Sequence, residues 1–119
     1  MKLTKKSKEA FEKWYIDNKL HYDKLTVIYE VRINQFYKLH LSMQFGIYVD
    51  FFESVGIYVS VMPNCFHLDN DVPKFTMFGY NYWVEGDGFF YESDDSHDRT
   101  REEARKKAIE KANEIYNEL

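Results

Sequence analysis

Residues 74–92 read KFTMFGYNYWVEGDGFFYE, and this stretch predicts the centre of the fold. Residues 74–84 are rich in aromatic side chains, which favour a long β-strand. The two glycines in residues 85–88 indicate a hairpin turn, and the apolar run at residues 89–92 predicts the returning strand. The sequence therefore predicts an antiparallel pair of strands joined by a tight connection.

A further strand precedes this pair. Residues 57–62 read IYVSVM, and side chains alternate between the two faces of a strand, so Ile57, Val59 and Val61 share one face. Residues 63–73 contain both prolines of the chain and predict a loop. We therefore expect a three-stranded antiparallel sheet.

Helices are predicted before and after the strands along the sequence. Residues 4–18 repeat apolar side chains at the spacing of one helical face, and the lysine-rich first turn opposes the helix dipole, which predicts fraying there. Residues 42–55 are apolar nearly all round, which indicates a buried helix. Ser42 is predicted to cap this helix at its start and Gly56 to end it.

The last helix is predicted from its capping box, T-R-E-E, which begins at Thr100. Alanines at helical spacing follow it and predict close packing against the sheet. Residues 18–41 fit either an extended connector or a short helix. The prediction is one α+β domain over residues 1–119, in the order α-α-β-β-β-α, with the helices packed on one face of the sheet.

Composition limits the classes of function. The 119 residues carry a formal net charge of -4, and 18% of them are aromatic. The acidic balance disfavours non-specific binding of nucleic acid. The single cysteine excludes a disulfide framework. The apolar runs are too short to span a membrane, and the basic start lacks the apolar core of a signal peptide. We expect a cytoplasmic protein with no membrane partner.

No catalytic signature occurs: the chain has no P-loop, GxSxG, HExxH or GxGxxG motif. The run from Asp94 to Asp98, which includes His97, is rich in potential metal ligands but lacks EF-hand spacing and is more typical of a solvated acidic loop. Cys65 and His67 could supply a thiol nucleophile and a base, but catalytic pairs are usually assembled from distant segments of a chain. A buried cysteine in the predicted loop is the alternative. We predict no catalytic residue, no metal and no cofactor.

The aromatic strand is the main candidate for a binding surface. Alternation places Phe78, Tyr80 and Tyr82 on one face and Trp83 on the other. Tyr58, on the neighbouring strand, joins the tyrosines if the register allows it. A row of exposed aromatic side chains is typical of protein interfaces. The predicted partner-binding residues are these and the acidic loop: Tyr58, Phe78, Tyr80, Tyr82, Asp94, Asp95 and Asp98. Alternatively, the first helix or a second copy of the chain in a homodimer covers this aromatic face.

Two blocks of sequence resemble small proteins encoded by phages and prophages. The first block is LSMQFGIYVDFFESVG, residues 41–56, and the second covers residues 100–105, 108–109 and 111–114 of the last helix. Together they span about a quarter of the chain. The resemblance implies an accessory gene of a mobile element. Small acidic proteins of that origin resemble inhibitors of host defence nucleases, including anti-CRISPR proteins.

The last five predicted elements also resemble the α-β-β-β-α order of a double-stranded RNA-binding domain. Such a domain holds phosphates with basic residues at the start of its last helix, and Arg101, Arg105 and Lys106 match those positions. Glu102 and Glu103 lie between them, however, and their carboxylates repel phosphate.

The expected function is therefore non-enzymatic. We expect a phage or prophage protein that binds and inhibits a host defence nuclease, with an RNA-guided nuclease as the expected class. Acidic and aromatic side chains suit the basic nucleic-acid channel of such an enzyme. A nucleic-acid-binding module is the alternative, and a small hydrolase is the third reading.

Overall fold

The computed structural model describes residues 1–18, 29–68, 74–93 and 100–119, and only the backbone of residues 29, 30, 64–68 and 74–78. The elements in this part of the chain are α1 (Lys5–Asn18), α2 (Tyr29–Tyr37), α3 (Leu41–Ser54), β1 (Ile57–Leu68), β2 (Lys74–Gly86), β3 (Phe89–Glu92) and α4 (Arg101–Glu118). The α+β class and the three-stranded antiparallel sheet are confirmed. Helix α2 lies in the segment for which the sequence left extended and helical conformations open.

Strand β2 is the central strand, with β1 and β3 on its two sides. Val84 on β2 lies opposite Val59 on β1 and Tyr91 on β3. The predicted loop over residues 63–73 is wrong in its first part, because β1 continues through Pro63 to Leu68 and pairs with β2. Proline is tolerated there because β1 is an edge strand among the described elements.

Glycines allow two departures from regular pairing. Asn64 lies opposite Gly79 and Cys65 opposite Met77, so the intervening Phe78 is an extra residue in β2. Gly79 has a φ of 134°, a backbone conformation that side chains disfavour. The hairpin turn is shorter than predicted: Gly86 pairs with Phe89, and only Asp87 and Gly88 form the turn.

The inner face of the sheet, defined by Ile57, Val59, Val61, Tyr82, Val84, Phe89 and Tyr91, packs against the helices. Ile57 and Val84 are fully buried there. Helix α4 presents a buried stripe to the core, formed by Ala104, Ala108, Ile109 and Ala112. Its small side chains allow the helix backbone to approach the strands, as the sequence predicted.

A cluster of aromatic rings joins the first three helices. Phe11, Phe36 and Tyr48 are completely buried, one on each helix. The ring centroid of Phe11 lies 4.9 Å from that of Phe36 and 4.8 Å from that of Tyr48. These centroid distances lie in the favourable range for aromatic pairs, and the contacts hold α2 against α1 and α3.

The start of α1, for which the lysines predicted fraying, is hydrogen-bonded to α4. The backbone N–H of Ser7 donates to Asn117 Oδ1 at 2.8 Å, and that of Thr4 donates to Asn113 Oδ1 at 2.9 Å. Both asparagines belong to α4 and are four residues apart, so they share one helical face. Amide oxygens from a distant helix therefore satisfy donors that the first turn of α1 would otherwise leave free.

Helix α3 differs from its prediction in two ways. Its N-cap is His40 and not Ser42, because the side chain of His40 accepts the backbone N–H of Ser42. Gly56 ends the helix as predicted, with a φ of 84°. Phe51 and Phe52 are buried, whereas Met43 is 56% exposed. The helix thus buries one side and is not enclosed all round.

Candidate partner-binding surface

The side of the sheet turned away from the helices carries the candidate site. We call it the outer face, and its described residues are Tyr58, Ser60, Met62, Asn81, Trp83, Glu85, Phe90 and Glu92. The pleat places them there because each alternates with a residue of the inner face. The buried core of the described helices lies on the inner side of the sheet.

Apolar side chains on the outer face are unusually exposed. Phe90 is 61%, Met62 55% and Tyr58 50% exposed, and Trp83 is half-buried. Met62 and Tyr58 come from β1, Trp83 from the central strand β2 and Phe90 from β3, so the exposed side chains form one patch across the sheet. A contiguous exposed patch of this kind is typical of a binding surface.

The predicted row of tyrosines does not form. The register pairs Tyr58 with Glu85 and Val61 with Tyr82, which places Tyr58 on the outer face and Tyr82 on the inner one. Tyr82 is only 8% exposed, and its ring stacks on that of Tyr91 at 5.9 Å. Tyr80 is half-buried, with the guanidinium carbon of Arg101 5.6 Å from its ring centroid.

Four of the predicted partner-binding residues cannot be placed on this surface. Asp94, Asp95 and Asp98 lie outside the described residues, as does the side chain of Phe78. The side chains of Cys65 and His67 also lie outside them. Predictions for these residues therefore stay predictions.

Of the eight described outer-face residues, the predicted site contained only Tyr58. The seven missing residues are Ser60, Met62, Asn81, Trp83, Glu85, Phe90 and Glu92. A stricter interpretation of Asp87-Gly88 as a two-residue turn would have placed Phe90 opposite Glu85. The pairing of Tyr58 with Glu85 gave no such signal, because it depends on where β1 ends and on the extra residue Phe78 in β2.

The charge of this part of the chain is strongly acidic. Residues 57–98 contain eight carboxylate side chains and one lysine. On the outer face, Glu85 and Glu92 are exposed, and neither carboxylate group has an ion-pair or hydrogen-bond partner among the described residues. Asp87, in the adjacent turn, is exposed as well. None of the eight described outer-face residues is basic, so the face favours a cationic partner.

The two arginines of α4 lie over aromatic rings of the same chain. The guanidinium carbon of Arg105 lies 4.9 Å from the ring centroid of Phe45, and Arg101 lies over Tyr80. Lys106 is exposed, and so are Glu102 and Glu103 between the basic positions. Two of the three predicted phosphate-binding side chains are therefore engaged in cation–π contacts within the chain.

A small cavity of about 110 Å³ lies between the first turns of α3 and α4. Its lining includes Arg105 and Lys106 as well as Glu102 and the side chain of His40. Because both signs of charge line this cavity, it does not select one class of ligand.

The most strongly perturbed tyrosine belongs to the core. Burial raises the pKa of the Tyr48 hydroxyl well above its usual value, and the neighbouring Tyr37 and Glu12 raise it further. Tyr48 is completely buried, so this hydroxyl stays protonated and inaccessible. Its environment indicates a structural role.

Across the described ranges, no three His, Cys, Asp or Glu side chains lie close enough together to hold a metal ion. The helices of those ranges are all too short or too polar to cross a membrane. Comparison of the chain with models of known protein families, with curated proteins and with solved structures finds no match.

Proposed function

We propose that this chain is a non-enzymatic accessory protein of a phage or prophage that binds and inhibits a host defence nuclease, in the manner of anti-CRISPR proteins. The expected target is an RNA-guided nuclease in the cytoplasm of the bacterial host. The phage origin comes from the resemblance of residues 41–56 and of the last helix, and the mode of action comes from the outer face.

The observation that supports this proposal most is the combination of exposed apolar and acidic side chains on one open sheet face. Phe90, Met62 and Tyr58 supply apolar contact area, and Glu85 and Glu92 supply negative charge. A nuclease lines its nucleic-acid channel with lysine and arginine, so an acidic surface is complementary to it. Aromatic anchors add affinity that charge alone does not provide.

The test is cleavage of target DNA by the purified host nuclease with increasing amounts of this protein. We expect inhibition, and we expect the double variant Tyr58→Ala, Phe90→Ala to need at least about tenfold more protein for the same effect. The matched control is Met43→Ala, which removes an exposed apolar side chain from α3. Cleavage at full rate with excess wild-type protein would contradict the proposal.

Oligomeric state distinguishes a host partner from a second copy on the outer face. Sedimentation at micromolar concentration is expected to give a monomer. A dimer that Phe90→Ala dissociates would instead assign the outer face to self-association.

A nucleic-acid-binding module remains the second candidate, because α3, β1, β2, β3 and α4 follow the order of a double-stranded RNA-binding domain. We expect no appreciable affinity for duplex RNA at physiological salt, since Arg101 and Arg105 already lie over aromatic rings. Fluorescence anisotropy with labelled duplex RNA is the measurement. Micromolar binding that falls steeply with added salt would favour this second candidate.

A further inference from the structure

We propose that the outer face recognises an arginine side chain on its protein partner, with Glu85 as the carboxylate and Tyr58 and Phe90 as the flanking rings. This inference rests on the proposed function, because it names the chemistry of the group that the same surface binds.

The register provides the arrangement. Tyr58 lies directly opposite Glu85, and Glu85 directly opposite Phe90, so the three form one row across the sheet. The two outer strands are separated by two strand spacings, or about 9.6 Å. Side chains stand roughly perpendicular to a sheet, so a planar group above Glu85 would lie about 5 Å from the axis along which each flanking side chain projects. That separation is within the range of about 6 Å for a cation–π contact.

The next row adds a second carboxylate and a third ring. Ser60, Trp83 and Glu92 lie opposite one another across the same three strands. Glu85 and Glu92 therefore approach the same area from neighbouring strands, and neither is neutralised by an ion pair among the described residues. Two exposed carboxylates beside three aromatic side chains form an environment for a cation.

Arginine fits this environment better than lysine. Its guanidinium is planar, stacks on aromatic rings and donates two parallel hydrogen bonds to one carboxylate. Lysine is a more strongly hydrated point charge and gains less from the rings. Within the described part of a second copy, Arg101 and Arg105 already lie over rings and Arg32 is 3% exposed, which favours a different protein as the source.

The direct test uses Trp83 as the reporter. The chain has two tryptophans, so Trp14→Phe leaves Trp83 alone. Hexa-arginine and hexa-lysine peptides are titrated into this protein at about 0.15 M salt, which screens distant charges. We expect hexa-arginine to bind at least about threefold more tightly, because the rings discriminate between the two cations.

Single variants distinguish specific binding of arginine from non-specific electrostatic attraction of a cationic peptide. Glu85→Gln and Phe90→Ala are each expected to weaken hexa-arginine binding about tenfold. The matched controls are Glu110→Gln on α4 and Met43→Ala on α3, both at exposed positions, and neither should change it. Equal binding of the two peptides, or binding insensitive to Phe90→Ala, would overturn the inference.

The nuclease assay distinguishes the two proposals. If Glu85→Gln abolishes inhibition of the nuclease but the peptides do not discriminate arginine, the proposed function stands and the arginine inference is wrong. If the peptides bind as expected and no nuclease is inhibited, the arginine site stands and the proposed function is wrong.

Discussion

The two faces of the sheet are built from the same strands and have opposite environments. Ile57 on β1 is 1% exposed, and its neighbour Tyr58 is 50% exposed. The inner face carries aliphatic and aromatic side chains under α4, and the outer face mixes aromatic rings with exposed carboxylates. The difference shows that apolar content by itself does not mark the core of this protein, because both faces are rich in apolar side chains.

The packing of α4 on the inner face explains why the two faces differ in exposure. The alanine stripe of α4 fits closely over the inner face, and α1 is joined to α4 through Asn113 and Asn117. Aromatic side chains on the outer face stay exposed because none of the described helices packs there. Aromatic residues thus stabilise the fold on one side and are available for binding on the other.

The largest expected effect separates two adjacent residues. Ile57→Ala should lower the free energy of unfolding by about 3 kcal/mol, because it leaves a cavity in the core. Tyr58→Ala should lower it by less than about 1 kcal/mol, since its ring is half in solvent. Urea denaturation measures both. Equal losses would mean that the two faces are not distinct environments.

The close packing of α4 on the sheet can be tested by enlarging a buried alanine. Ala108→Leu should lower the free energy of unfolding by about 2 kcal/mol, because the longer side chain pushes α4 away from the strands. Glu110→Leu adds a leucine at an exposed position of the same helix and should change stability by less than about 0.5 kcal/mol. A stable Ala108→Leu protein would show that α4 does not need its small residues.

The hydrogen bonds between α1 and α4 should contribute less to the free energy of unfolding than the core contacts do. Asn117→Ala removes the acceptor for the Ser7 N–H and should cost about 1 kcal/mol, as the loss of a helix cap does. Asn117→Asp keeps an acceptor at the start of α1 and should cost less. Thermal unfolding of the two variants is the measurement, and a larger loss for aspartate would contradict the capping role.

The smallest effect is confined to alkaline pH. The raised pKa of Tyr48 means that the unfolded chain loses this proton above about pH 10 while the folded chain keeps it. The contribution of this group is therefore fully present at lower pH and is lost as the pH rises. Urea denaturation at several pH values should show a shallower decline for Tyr48→Phe, and equal slopes would place Tyr48 outside the core.

Much of the fold could be predicted from local sequence. The alternation of Ile57, Val59 and Val61, the aromatic strand, the glycine turn and the capping box at Thr100 each produced the expected element. These signals are local because they depend on backbone geometry over a few residues. The candidate site was predicted only in part: Tyr58 lies on the open face, but Tyr82 belongs to the core.

The sequence by itself determined which side chains alternate along each strand and where the main helices and turns lie. Tertiary structure decided which alternating set faces solvent, because that choice depends on the register between β1 and β2 and on where α4 packs. It also decided the caps of α1, which come from asparagines more than a hundred residues away. Pairings over such separations leave no local pattern, since the contacts form only when distant elements meet.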